Sequence, residues 1–94
     1  MTKVEPEPSH QQTPYVPQGA ALAGTRAIHL LAANVRHYRS SKNISQEALA
    51  GKCGIFRTYL SRIETGKCNP SLAVLVALAG ALEIPTYVLL VPMK

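Results

Sequence analysis

Ser45-Gln46-Glu47-Ala48-Leu49-Ala50-Gly51-Lys52-Cys53-Gly54-Ile55-Phe56-Arg57-Thr58-Tyr59-Leu60-Ser61-Arg62-Ile63-Glu64-Thr65-Gly66 is the stretch on which the fold turns. Ser45 offers a hydroxyl oxygen to an orphan N–H at a helix start, and Glu47 lies in the first turn, where the positive helix end favours it. The residue three places after Ser45 is Ala48, so the reciprocal half of a capping box is missing and only the Ser cap remains. Leu49, Ala50 and Cys53 supply an inner face. Gly54 suits the position just past the helix, because it enters the left-handed region without a Cβ clash. A further short helix is expected from about Phe56 to Thr65, with Leu60 and Ile63 inward and Gly66 closing it. The connection Cys53-Gly54-Ile55 is only about three residues long, which fits helices crossing at about 90 to 120 degrees and not an antiparallel hairpin. Ala50 falls at the crossing, where a single methyl group lets two backbones approach, and Leu60 and Ile63 fill the angle beneath.

Working outward, Thr25 is a candidate N-cap for an upstream helix running to about Lys42. Ile28, Leu31, Ala32, Val35 and Tyr38 recur on one side of it, while Asn34, Arg36 and His37 fall largely elsewhere. Downstream, Pro70 and Ser71 introduce a fourth helix through Leu82, and Pro85 opens a short fifth through about Val91. Leu72, Leu75, Ala79 and Leu82 are the expected core residues of the fourth. No alternating strand pattern and no internal repeat interrupt the series, so the fold class is all-α, a five-helix domain over residues 25–94. Residues 1–24 contain four of the seven prolines, Pro6, Pro8, Pro14 and Pro17, and no helical or strand period. They are expected to form a flexible arm.

With 94 residues and 47% hydrophobic content, the chain supports one small core. The net charge of +5 is unevenly placed. Residues 1–24 are net −1, whereas residues 26–67 carry eight basic side chains against Glu47 and Glu64. Such a field suits nucleic acid or an acidic surface as partner. Cys53 and Cys68 are too few for a disulfide scaffold and lack zinc-ligand spacing, so reduced thiols and no metal are expected. The apolar run Leu72 to Leu82 is about half a membrane span, and the N-terminus has no signal-peptide pattern, which together favour a soluble cytoplasmic protein with no membrane association. His10, His29 and His37 stand in no nucleophilic or metal-binding arrangement, and Glu47, Glu64 and Glu83 form no spaced pair, so neither an enzyme nor a cofactor is expected.

The pattern Ser45-Gln46-Glu47-x-Leu49-Ala50-x-x-Cys53-Gly54, then Tyr59-Leu60-Ser61-x-Ile63-Glu64-x-Gly66 and Pro70-Ser71-Leu72, resembles the lambda-repressor and Cro type of helix-turn-helix domain over about residues 28–90. The run Arg57-Thr58-Tyr59-Leu60-Ser61-x-Ile63-Glu64 is similar, more narrowly, to controller proteins of restriction-modification systems. The resemblance implies that the third helix enters the major groove of double-stranded DNA, with Arg57, Thr58, Ser61 and Arg62 toward the bases. An Arg fork suits guanine O6 and N7, and Thr can meet a thymine methyl or a phosphate. Gln46, Tyr59, Lys67 and Asn69 are the implied phosphate contacts, although Tyr59 serves equally as a packing residue and Arg62 equally as a phosphate contact. Arg39 and Glu64 match a family ion pair that ties the first helix to the end of the recognition helix. Phe56 departs from the family pattern, which more often has a small polar cap there; packing against Ile55 or Tyr59 and contact with thymine methyls both remain open.

The fourth helix is apolar on every side, more than one core can cover. Val74, Ala77, Ala81, Val88, Leu89 and Val91 are therefore expected in a homodimer interface, unless the arm folds over that patch. The expected function is a transcription regulator acting as a dimer on an inverted repeat, by repression or by activation through RNA polymerase. Two other readings stand beside it: an antitoxin or phage-repressor-like regulator with a protein partner, and a helical adaptor that does not bind DNA.

Overall fold

The computed structural model describes residues 18–93; the expected arm falls outside the described residues except for its last seven positions. Those seven are helical. The first helix, α1, spans Gln18–Ser41, so Thr25 lies within it and is not its cap. The run between Gly19 and Gly24 is rich in Ala and Leu, strong helix formers. Gly19 and Leu22 to Ala27 are exposed, so the side chains described there form no buried stripe from which a period could be read. Farther along, Leu31, Ala32 and Val35 are buried, with Ile28 and Tyr38 half-buried.

Helix α2, Gln46–Cys53, begins as its sequence directs: the Ser45 hydroxyl accepts from the Ala48 N–H at 3.0 Å. It ends at Gly54, which has φ 70°. The Gly54 and Ile55 N–H groups then donate to the carbonyls of Gly51 and Ala50, so the chain reverses with its helix-end acceptors satisfied. Helix α3, Arg57–Glu64, follows at once. Leu49, Ala50, Leu60 and Ile63 are at most 2% exposed and form the joint between α2 and α3.

Helix α4, Leu72–Leu82, starts at a second Ser cap, Ser71, whose hydroxyl accepts from the Val74 N–H. Its buried residues are Leu75, Leu78, Ala79 and Leu82, the i, i+3, i+4, i+7 set of one helix face. Leu72, expected in the core, is instead 68% exposed; it lies on the same stripe as Leu75 and Ala79 but is the first residue of the helix, one turn before the buried set begins. The expected fifth helix is a single 3-10 helix, Thr86–Leu90, entered from Pro85. It packs on α1 and α4, while α3 packs on α1 and α2. Leu89 is fully buried in the shared core. That removes it from the expected dimer interface. Val74 and Ala81 also pack partly against the core.

Candidate nucleic-acid interface

Helix α3 has two unlike faces. Leu60, Ile63 and Glu64 point into the fold, so Arg57, Thr58, Ser61 and Arg62, one turn apart on the other side, face outward. Arg57, Thr58 and Arg62 are exposed and Ser61 is half-buried. At the start of α3, Phe56 is in extended conformation and makes no side-chain cap bond. A Ser or Thr there would add about 1 kcal/mol.

Glu64 anchors the site. Although only 2% exposed, its carboxylate accepts from Arg39 Nε at 2.6 Å and Nη2 at 3.1 Å, and from Gln46 Nε2 at 3.0 Å. Arg39 spends its remaining nitrogen, Nη1, on the Ile44 carbonyl at 3.0 Å, and Arg36 Nη1 donates to the Glu64 backbone carbonyl. A buried charge satisfied this fully keeps its partners in one geometry, since each alternative leaves an unpaired ion in low dielectric. Three helices thereby meet on one carboxylate. Gln46 extends the chain of bonds outward, its Oε1 lying 3.4 Å from Arg57 Nη1. The amide expected on phosphate is thus engaged at both ends, between the buried acid and the exposed Arg fork.

The other expected residues are placed as follows. Arg62 Nη2 donates to the Lys67 carbonyl at 2.8 Å, which braces the connection after α3. Lys67 and Asn69 are exposed along that connection. Tyr59 is half-buried against the core. Gly66 has φ 71°, and a Cβ there would lie 3.0 Å from His29 Nδ1, so α1 and this connection are in close approach. Of the acids on the described surface, Glu83 is paired with Lys42 at 3.0 Å, which holds its carboxyl below the usual carboxylate range by hydrogen bond and charge. Burial pushes the Cys53 thiol up.

One residue escaped the sequence reading. Asn34 is fully buried, and its Nδ2 donates to the Leu89 carbonyl at 2.8 Å and the Val91 carbonyl at 2.9 Å. The signal was available, since Asn34 stands three residues after Leu31 on the inward stripe of α1. Among the described residues, no group of three or more His, Cys, Asp or Glu side chains could hold a metal ion. A depression of about 390 Å³ between α1, the α3–α4 connection and the 3-10 helix is lined by Ile28, Leu31, Pro70, Leu75 and Leu90 among others, without a titratable side chain. No described helix is long and apolar enough to cross a membrane.

Residues 30–87 match the family described as "Helix-turn-helix domain". The chain belongs to the lambda-repressor type of helix-turn-helix transcription regulators, a family that includes restriction-modification control proteins. It is 43% identical over 63 residues to a "Neisseria hypothetical transcription factor" from Neisseria meningitidis, over 67% of this chain and 59% of that protein. It is 46% identical over 54 residues to "Control protein C.SmaI" from Serratia marcescens, over 57% of this chain and 64% of the relative. The chain therefore spans less than two thirds of either relative. The crystal structure of the restriction-modification controller protein C.AhdI from Aeromonas hydrophila superposes with a TM-score of 0.64 at 35% identity, covering 66% of this chain and 94% of that one. The relatives are named as regulators and control proteins, not enzymes.

Proposed function

We propose that this chain is a cytoplasmic, sequence-specific regulator that binds double-stranded DNA as a homodimer on an inverted repeat, as a controller of the restriction-modification kind. The observation that carries this reading is the bond chain from buried Glu64 through Gln46 to exposed Arg57. It pre-orients an Arg fork at the front of α3, so less side-chain entropy is lost when the fork meets guanine O6 and N7. Thr58 and Ser61 complete the base-facing surface, while Lys67, Asn69 and Tyr59 serve the phosphates. Arg62, already bonded to the connection, contributes charge at its edge.

Dimerisation is supported by apolar surface left over by the core. Val76 is 52% exposed, Leu90 43% and Val91 41%, beside half-buried Val74, Ala77, Ala81 and Val88. A twofold pair would present its recognition helices to half-sites about one DNA turn, roughly 34 to 36 Å, apart. Occupancy regulates by occluding a promoter or by contact with RNA polymerase.

The test is selection from a random duplex pool, followed by Arg57→Ala on the recovered site. An inverted repeat whose discrimination is lost at one base pair per half-site supports direct reading; Arg57→Ala weakening every duplex alike moves Arg57 to phosphate. Recovery of no duplex above background, at any salt concentration, overturns the proposal.

A further inference from the structure

Phe56 is 82% exposed, the most exposed large hydrophobic residue among those described. It stands immediately before Arg57 and Thr58, both exposed, and holds a position where a polar side chain would cap α3. The ring makes no such bond. Its neighbour Ile55 is fixed by donation to the Ala50 carbonyl at 3.0 Å, and Gly54 sets the turn, so the Cα–Cβ direction of Phe56 is fixed by the same turn that aims α3. An aromatic ring left in water at the leading end of a basic helix gains by meeting an apolar surface, and the apolar feature of the major groove is the C5-methyl of thymine.

We propose that Phe56 is a specificity-determining residue that reads a thymine methyl group next to the base pair met by Arg57. This inference rests on the reading of α3 as the major-groove helix. The Arg fork recognises by hydrogen bonds, which are directional; the ring recognises by burying one methyl group, which is not. Together they distinguish a thymine-containing step from one offering the same hydrogen-bonding groups without the methyl. The position of Phe56 ahead of the first turn of α3 puts its thymine toward one side of the half-site, adjacent to the Arg57 contact.

The experiment uses the full chain and the duplex recovered by selection, with each thymine replaced singly by deoxyuridine. That change removes a methyl group and leaves the pairing and hydrogen-bonding edges intact. The expected result is one position per half-site where deoxyuridine weakens binding about fourfold, the loss for one methyl withdrawn from an apolar contact. Phe56→Ala is expected to bind thymine and deoxyuridine duplexes equally there, whereas Phe56→Leu, which keeps an apolar side chain, retains part of the difference. Both variants are expected to melt with the parent chain, because the ring is largely uncovered.

Three results would overturn the inference: no thymine sensitive to loss of its methyl, the same sensitivity in Phe56→Ala, or a Phe56→Ala that loses affinity evenly together with melting temperature. Selective binding with no methyl dependence refutes the role of Phe56 alone. Failure to select any duplex refutes the functional reading beneath it.

Discussion

Arg39 of α1 grips the Glu64 carboxylate at the end of α3 with two nitrogens, Nε at 2.6 Å and Nη2 at 3.1 Å, across 25 residues of sequence. Glu64 is nearly sealed from solvent, whereas Arg39 keeps 19% of its side chain exposed. Such a pair adds little net stability over an apolar pair of equal volume, yet removing one partner strands the other charge. Glu64→Gln is therefore expected to cost about 3 kcal/mol in urea unfolding. Replacing both residues, as Arg39→Met with Glu64→Leu, is expected to recover most of that stability while DNA affinity stays low, because the anchor for Gln46 is gone. A double variant binding as tightly as the parent would show that the pair does not align α3.

Gln46 accepts from Arg57 and donates to Glu64. If this amide orients the Arg fork, the effects of Gln46→Ala and Arg57→Ala on affinity should not add. A coupling of about 1 kcal/mol, within the range for residues sharing one network, is expected from a double-mutant cycle on the selected duplex. Strict additivity would leave Gln46 as an independent phosphate contact.

Asn34 fastens the C-terminal segment to the middle of α1 through two carbonyls. Asn34→Ala leaves those acceptors without their donor, at a cost of about 2 kcal/mol. Hydrogen exchange should accelerate across residues 86–91 well before the rest of the core. The proposed dimerisation should weaken in the same variant, since Val88 and Val91 lie on that segment. Unchanged exchange there would mean that burial of Leu89 alone holds it.

Glu83 ends α4 in the left-handed region, φ 62°, where residues with a Cβ are strained. Glu83→Gly is expected to raise the melting temperature by a few degrees in spite of losing the Lys42 contact. The sign of the pH effect follows from Lys42 holding the carboxyl low. The ion pair contributes above the unfolded-state value, and that contribution disappears as pH falls through the lowered folded value. Because the pair is exposed, the change should be small and should vanish in Glu83→Gln when melting is followed from neutral to acid pH.

Much of the fold and part of the site were legible in the sequence because they depend on local chemistry or on short periods. Ser45 and Ser71 cap helices as their positions indicate, Gly54 and Gly66 both adopt positive φ, and Leu49, Leu60 and Ile63 are buried. The Arg39 and Glu64 pair followed from a resemblance carried by fixed offsets, and the structure brings the two together. The start of α1 was not legible, because the Ala-rich sequence before Thr25 carries no 3.6-residue alternation of apolar and polar side chains to mark it. The inner face of α4 was legible in Leu75, Ala79 and Leu82, all buried, but its extent was not: packing against α2 and the 3-10 helix adds Leu78 to the core and leaves Leu72, the first residue of the helix, outside.

Sequence by itself determined the turn at Gly54 between α2 and α3, the Ser45 and Ser71 caps and that α3 carries a basic outer face. Tertiary structure alone decided that Leu89 turns inward to meet Asn34 and that Gln46 is shared between Glu64 and Arg57. Those contacts join residues 55, 18 and 11 positions apart. Their geometry is fixed by how whole helices cross, and side-chain identity along one helix cannot encode the angle at which another arrives.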